Sequence, residues 1–366
     1  DFEGDLEPWS EAVDRIVDFF AARLDGMPVD SLTVAEVGDL VLTSPGSRGL
    51  LLLEQEFISD SDVPEFELAR RLALQWWGYS LRVSEPTDAW LSDGFATFWA
   101  LQYLKEIRPD DFEPELNRLA VQAMKYQETA PIISGYNLEI GSPKYESIVA
   151  AKGAWVLHML GELIGRATLD QAISDFYLNH RDSSARISDF VERVNQTTGE
   201  DYGWFFLQWI ESVGVPEFRV DYTIYRIRDG GYRIRGQVEQ NLELFRMPMD
   251  LLIETKTTPE TKEILVSGKN TSFDIVTKTY PTRIEIDPEG DVLMDSNRMR
   301  VAVTIALGDE YRTAGEYVSA LQEYERAVDM NPRSSLAHFR LGQTFFDQHS
   351  YANAANSMRD SLNGDL

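Results

Sequence analysis

The spacing of apolar residues changes twice along the chain and predicts three kinds of structure. Across residues 9–198, apolar positions recur mainly every three or four residues, which is the spacing of amphipathic helices. Two short segments, 31–41 and 49–53, interrupt this spacing and predict strands. From about Glu217, short alternating segments separated by turn residues predict a compact β-sandwich. Helical spacing returns after residue 297.

The pattern also places the individual elements. The helices predicted in the first part comprise residues 9–23, 64–78, 88–104, 115–129, 149–164, 168–179 and 187–198. The strands predicted in the second part comprise residues 218–225, 232–238, 249–253, 263–266, 271–276 and 283–286. We therefore expect an α+β chain with several domains.

The last part of the chain repeats itself with a period of 34 residues. The first unit, 301–334, has at its motif positions Leu307, Gly308, Tyr311, Ala320, Tyr324, Ala327 and Pro332. The second unit has at the same offsets Leu341, Gly342, Phe345, Ala354, Met358 and Ser361. This pattern resembles tetratricopeptide repeats, in which small residues let two antiparallel helices approach closely. Two units are fewer than such repeats usually need, so we expect them to dock on the β domain or to continue further.

Composition limits the kinds of partner. The 366 residues include 61 acidic and 34 basic side chains, which gives a formal charge of −27. This charge argues against binding to nucleic-acid backbones or anionic membranes, and it suits a basic partner or a merely well-solvated surface. A run of about twenty apolar residues is not evident, so we expect no membrane span. Cysteine is absent, which excludes disulfides and thiolate metal sites but leaves the cellular location unknown.

Two motifs in the first part carry the candidate chemistry. Residues 68–78 read LARRLALQWWG, residues 90–96 read WLSDGFA, and eighteen residues separate Leu74 from Asp93. The pair resembles the H-E-L-A-H-Q-W-W-G and W-L-N-E-G-F-A motifs of aminopeptidase N-like zinc metallopeptidases, the gluzincins, with the same spacing. The resemblance implies that Arg70 and Leu74 occupy the positions of the two His ligands. Arg71 then occupies the position of the general-base Glu, and Asp93 that of the third ligand.

The resemblance extends over roughly residues 8–293. Residues 151–160, AKGAWVLHML, are similar to the family helix that follows the tyrosine stabilising the oxyanion, and Ala150 stands at the tyrosine's position. Residues 205–209 and 214–216 resemble the family's closing segment, whereas 43–47 lack the family's substrate-binding G-x-M-E-N sequence. The resemblance implies a degenerate thermolysin-like domain over 1–216 and a β-sandwich domain over 217–293. The repeats then occupy 297–366.

The substituted residues are unsuited to the family's chemistry. Such a site needs two imidazoles at i and i+4, a carboxylate from a following helix and a carboxylate base. Leu74 has no lone pair, and Arg70 and Arg71 remain cationic at neutral pH. Only Asp93 could bind a metal. We therefore predict no zinc, no other cofactor and no peptidase activity, and we expect Arg70 or Arg71 to form an ion pair with Asp93 in place of the metal.

Three functions remain open from the sequence. The first is a non-catalytic scaffold that binds a protein or peptide, basic or apolar, through the first helix of each repeat. Its candidate contacts are Ala302, Ile305, Asp309, Arg312, Leu336, Phe339, Gln343 and Phe346. The second is a zinc-dependent aminopeptidase with an unconventional site, although the four histidines contain no i, i+4 pair. The third is a structural subunit of a larger complex.

Overall fold

A computed structural model describes residues 7–38, 45–58, 63–228 and 230–365. The chain divides into two compact units, Asp1–Gly214 and Val215–Leu366. Several sequence expectations fall outside the described residues: the end of the strand predicted at 31–41, residues 43 and 44 of the missing substrate-binding motif, and Asp229 of a predicted turn.

The first unit contains ten α-helices and five short strands among its described residues. The helices are α1 Glu7–Ala21, α2 Gln55–Ile58, α3 Glu65–Ala73, α4 Trp90–Ile107, α5 Pro109–Met124, α6 Pro143–Tyr145, α7 Lys152–Ile164, α8 Arg166–His180, α9 Ile187–Thr198 and α10 Gly203–Phe206. The strands are β1 Thr33–Val37, β2 Gly46–Ser47, β3 Leu50–Glu54, β4 Arg82–Val83 and β5 Ser184–Ala185. Strand β3 pairs with β1 in parallel and with β2 antiparallel. The predicted small sheet followed by helices is therefore present.

Helix α4 is the centre of this unit and holds Asp93 in place. Nearly every residue from Trp90 to Leu104 is buried, on all sides of the helix. At Gly94 and Gly153, helices α4 and α7 approach so closely that a Cβ on Gly153 would lie 3.1 Å from the Gly94 Cα. The glycines of the W-L-S-D-G-F-A and K-G-A-W segments are thus explained by helix packing.

The segment Pro143–Ile164 forms one continuous helix that includes α6 and α7. Its middle turn, Glu146–Ala151, has π geometry. Among the described residues, this one helix is long and apolar enough to cross a membrane by length and composition alone. Within its apolar window, 83% of the residues are buried inside the protein, as in the core helix of a folded domain.

The second unit begins with two three-stranded antiparallel sheets. The strands are β6 Phe218–Arg226, β7 Tyr232–Gln240, β8 Arg246–Thr255, β9 Glu260–Ser267, β10 Asn270–Thr277 and β11 Pro281–Ile286. The strand orders are β10-β7-β6 and β11-β8-β9. Alternate residues of β8 are buried (Met247, Met249, Leu251 and Ile253), as the two-residue period of a half-buried strand requires.

Four helices follow the sheets in the same unit and form the two repeats. They are α11 Asn297–Thr313, α12 Tyr317–Met330, α13 Ser335–Asp347 and α14 Tyr351–Ser361. Their shared core contains Val301, Ile305, Ala320, Tyr324, Ala327, Ala337 and Leu341. Gly308 lies against the ring of Tyr324, and Gly342 lies against Met358. The small residues of the repeat pattern therefore permit the close approach of paired helices.

We expect Gly308→Ala to destabilise the first repeat. A Cβ at this position would lie 2.5 Å from Cε1 of Tyr324, whose hydroxyl is held by Asp309. Helix propensity alone favours alanine by about 1 kcal/mol. Overpacking costs about 1–3 kcal/mol, so we expect a net loss of up to about 2 kcal/mol. Hydrogen exchange of the α12 amides measures the change, with Val318→Ala on the exposed side of α12 as control. Equal protection in the two variants would contradict the tight contact.

Candidate functional site

Helix α3 presents Arg70 and Arg71 on the side that is not packed into the core. Its buried side consists of Leu68, Ala69, Leu72 and Ala73. The helix ends at Ala73, earlier than predicted, but Leu74 still has α-helical angles (φ −62°, ψ −18°). Arg70 and Leu74 therefore keep the i, i+4 relation of the family's two ligands. Leu74 is buried.

Arg70 contacts two carboxylates. Its Nε and Nη2 donate to the two carboxylate oxygens of Glu67 at 2.8 and 2.9 Å. This two-pronged geometry is the strongest arrangement that an Arg–carboxylate pair adopts. Its Nη1 lies 3.3 Å from Oε2 of Glu146. Burial opposes the charged form, but Glu67 and Glu146 outweigh it and raise the pKa of Arg70 above its ordinary value.

Arg71 shares Glu67 with Arg70. Its Nε donates to Oε1 of Glu67 at 3.0 Å, and its Nη1 donates to Oε2 of Glu54 at 2.6 Å. The guanidinium also lies 4.4 Å from the ring centroid of Phe57, a favourable cation–π contact. Burial alone would raise the pKa of the Glu67 carboxyl, but the two guanidiniums hold it below its usual range. Glu67 is therefore the central anion of this network.

Asp93 has a different partner from the one expected. The hydroxyl of Tyr145 donates to its Oδ2 at 2.7 Å. Burial raises the pKa of Asp93 above its ordinary value, although Tyr145 and Arg70 both act to lower it. Among the described residues, the ion pairs of the two arginines are with Glu54, Glu67 and Glu146. The predicted direct Arg–Asp93 pair is therefore wrong, because nearer carboxylates bind both guanidiniums and a phenol satisfies Asp93.

A cavity of about 220 Å³ lies beside this network. Its wall includes Glu67, Arg70 and Glu146, together with Ala150, the residue at the position of the family's tyrosine. Ala150 is buried in the π turn and offers no donor to the cavity. Burial also raises the pKa of the Glu146 carboxyl, despite the opposing charge of Arg70.

Sequence reasoning missed the three residues that organise the site. Glu67 could have been found, because it precedes Arg70 by three residues and Arg71 by four, and such pairs meet on a helix surface. Tyr145 and Glu146 carry no comparable signal, since they lie more than fifty residues from the groups they contact. Only the fold brings them to α3 and α4.

Two ionisable residues of α7, the helix that continues from the π turn, are buried. Burial lowers the pKa of Lys152 to about 8, and its Nζ donates to the carbonyl of Gly214 at 3.4 Å. Burial, followed by the charges of Lys105 and Arg166, lowers the pKa of His158 to about 3. Both residues are therefore part of the packed interior.

The repeats place the eight candidate contacts in different environments. Ile305 is only 4% exposed and belongs to the repeat core, so its prediction as a partner contact is wrong. Ala302 is half-buried. The exposed members are Leu336, Phe339 and Phe346, at 50%, 39% and 56%.

The polar candidates contact other residues of the repeats. Asp309 accepts a hydrogen bond from the Tyr324 hydroxyl at 2.7 Å and lies 2.9 Å from Nε of Arg340. Arg312 donates to Asp347 at 2.9 Å, and Gln343 accepts from Arg340 at 2.9 Å. The predicted contact surface is therefore mainly apolar on α13 and internally paired elsewhere.

Comparison with known proteins identifies two segments of the chain. Residues 50–209 match the peptidase family M1 domain, and residues 308–348 match a TPR repeat. The chain is similar to a protein named probable aminopeptidase 1 from Sulfurisphaera tokodaii, with 25% identity over 179 residues. That alignment covers 47% of this chain and 23% of the relative.

Two matches that cover more of the chain are also to aminopeptidases. A leucyl aminopeptidase from Saccharolobus solfataricus is 22% identical over 303 residues, which cover 77% of this chain and 38% of that protein. A crystal structure of Legionella pneumophila aminopeptidase A in complex with aspartic acid superposes with a TM-score of 0.64 and 13% identity. It covers 96% of this chain and 46% of the other, and it establishes a shared fold. The chain spans less than half the length of each of these proteins.

Proposed function

We propose, on the premise that residues 50–209 are a peptidase family M1 domain and that residues 308–348 carry a TPR repeat, that the chain is a non-catalytic relative of the aminopeptidases. In this proposal it serves as a scaffold that binds a protein or peptide through its repeats. We further propose the division into a degenerate peptidase domain (1–216), a β-sandwich domain (217–293) and the repeats (297–366).

The ion pairs of Arg70 are the observation that supports this proposal most strongly. A zinc ion needs neutral imidazoles and carboxylates with free lone pairs. At the matching positions the chain has a guanidinium bound to two carboxylates, a buried leucine and an aspartate that accepts a phenolic hydrogen bond. These residues do not fit the family's metal, and Arg71 cannot accept a proton from water.

A second candidate is an aminopeptidase whose active site uses other residues. The names of the similar proteins favour it, since those compared above are called aminopeptidases. A third candidate is a structural subunit that acts only within a larger complex. Like the proposed scaffold, such a subunit would have no catalytic activity. Unlike the scaffold, it would bind little partner when this chain is alone.

Metal content and turnover, measured together, separate the non-catalytic candidates from the aminopeptidase candidate. After dialysis against excess zinc and then metal-free buffer, we expect well under one equivalent of zinc in the purified chain. We also expect hydrolysis of aminoacyl amides at no more than the background rate measured without protein. One tightly bound zinc, or turnover above that background, would contradict the non-catalytic proposal.

Partner binding requires its own test within the full chain. The exposed apolar residues Leu336 and Phe339 on α13 support a contact with an apolar or basic segment. Once a partner is purified, a chain with both residues changed to serine should bind it more weakly, because apolar anchors dominate such interfaces. Equal affinity in the two proteins would remove this surface from the proposal. Nucleic acids and anionic membranes are not expected partners of a chain with a charge of −27.

A further inference from the structure

We propose that the repeats contain a pocket that binds a cationic side chain, the guanidinium or ammonium group of a basic partner segment. This pocket, called the turn pocket, is lined by Arg312, Thr313, Tyr317, Phe346, Asp347, His349 and Tyr351. Its volume is about 590 Å³. The inference rests on the proposed protein-binding role and identifies the chemistry of the group that is bound.

Two equivalent turns build the turn pocket. One turn joins α11 to α12 and the other joins α13 to α14. Because the repeat period is 34 residues, Tyr317 of the first turn corresponds to Tyr351 of the second, and both line the pocket. The pocket lies at the C-terminal end of α13, whereas Leu336 and Phe339 lie nearer the N-terminal end of that helix.

Three aromatic rings that line the turn pocket are exposed. Phe346 and Tyr351 are 56% and 58% exposed, and Tyr317 is 36% exposed. The rings of Phe346 and Tyr351 meet edge to face, with centroids 5.6 Å apart and an interplanar angle of 66°. Ring faces carry partial negative charge, so rings of different orientation around one cavity favour a cation. An apolar ligand would be buried there but would gain no electrostatic attraction to the ring faces.

The charges around the turn pocket are compatible with a cationic ligand. Arg312 lines the pocket, but its guanidinium is paired with the Asp347 carboxylate at 2.9 Å, so the two charges offset each other. The chain as a whole carries a formal charge of −27. A basic segment would therefore be attracted at long range and then held by the rings. An anionic ligand would meet the opposite field.

His349 supplies an independent indication of a binding role. Its backbone has φ +60°, a left-handed conformation that costs a non-glycine residue about 1–2 kcal/mol. The corresponding residue of the first repeat is Gly315, with φ +77°. Folding of this turn therefore does not require histidine. The imidazole Nδ1 lies 3.1 Å from the Tyr351 hydroxyl and positions that ring beside the cavity. Strain retained at such a position points to function rather than to folding.

Two peptide probes test the inference on the full chain. One contains a single arginine between uncharged glycine and serine residues, and the other replaces the arginine by norleucine. NMR titration should show the arginine peptide binding about tenfold more tightly, as expected for a partly desolvated cation–π contact. The strongest shifts should come from the two turns. Equal affinity of the two peptides would overturn the inference.

Matched variants locate the site and separate it from the broader proposal. Phe346→Ser and Tyr351→Ser should each weaken binding of the arginine peptide about fivefold or more, whereas Leu336→Ser, at the opposite end of α13, should not. His349→Gly should raise the melting temperature, because it relieves the left-handed strain, and yet weaken binding. Wild-type affinity in all three turn-pocket variants would overturn the inference. Weakening by Leu336→Ser alone would overturn it as well, while leaving partner binding by the repeats intact.

Discussion

Replacing Glu67 by glutamine should lower the free energy of unfolding of the first unit by about 3 kcal/mol. Glu67 is the shared anion of Arg70 and Arg71, and all three side chains are less than a third exposed. Removing one partner of a buried ion pair leaves charge uncompensated, which costs about 3–5 kcal/mol. We expect the lower end of this range because the side chains are partly exposed and because Glu54 and Glu146 still pair with the arginines. Urea unfolding followed by tryptophan fluorescence measures the difference.

The chain contains a matched control for this substitution. Glu115 and Arg118 form an ion pair with the same three-residue separation as Glu67 and Arg70, but the Arg118 side chain is 57% exposed. Exposed pairs contribute about 0–1 kcal/mol, so Glu115→Gln should have little effect. If the two glutamine variants were destabilised equally, the network around Arg70 would have no special structural role.

The pH dependence of the same variant provides a second check. Because the folded-state pKa of Glu67 is below its ordinary value, its stabilisation is fully present above the unfolded pKa near 4.5. It is lost as the pH falls through the lower folded value. The stability difference between the wild type and Glu67→Gln should therefore be constant near neutral pH and shrink below about pH 4.5. A difference that grows on acidification would contradict the assignment.

The fold was largely predictable because its signals are local. The period of 34 residues located both repeat units, and two-residue alternation located all six strands of the second unit. Helix ends were less predictable: α3 ends at Ala73 rather than at Gly78, where the backbone has φ +135°. The W-W-G segment reads as a helix terminus in sequence, but its residues form a tight turn bridged from Trp77 to Leu81.

The candidate positions of the site follow from motif spacing, but their contacts do not. Motif spacing predicts that Arg70, Leu74 and Asp93 stand at the positions of the metal ligands, and the fold keeps the first two on successive turns. Which carboxylate binds Arg70 could not follow from spacing, because it depends on the approach of the π turn that holds Tyr145 and Glu146. In an acidic chain, many carboxylates could satisfy an arginine, and only the three-dimensional distances select among them.

The exposed surface of the repeats was also hard to predict from the sequence. The motif assigned Ile305 to the contact surface, yet it belongs to the repeat core because α12 and α13 both pack close to it. The aromatic residues Tyr317 and Tyr351, which the motif did not single out as contacts, are exposed beside the two turns. A repeat pattern encodes how helices pack, so it predicts the core better than it predicts the outer surface.

Restoring the family's residues should restore zinc binding. We expect a chain with Arg70→His, Arg71→Glu, Leu74→His and Asp93→Glu to bind one zinc ion with a dissociation constant of about 1 μM or tighter. The helical angles of Leu74 keep positions 70 and 74 on successive turns, and α4 is packed closely against α7. Loss of both guanidiniums also leaves Glu67 and Glu146 as nearby anions that favour a cation. Isothermal titration, with circular dichroism to confirm folding, measures the gain.

Two related variants test which residues zinc binding and turnover would depend on. Omitting Leu74→His leaves one imidazole and should weaken zinc binding by several orders of magnitude, because a three-ligand site is then incomplete. Adding Ala150→Tyr to the full set supplies a donor at the position of the family's oxyanion tyrosine. Such a donor contributes about 2.7–4 kcal/mol to lowering the barrier, so turnover should rise about a hundredfold or more over the zinc-binding chain without it. A folded chain with all four ligand-site substitutions that binds no zinc would show that the proposed correspondence of Arg70, Leu74 and Asp93 to the metal ligands is wrong.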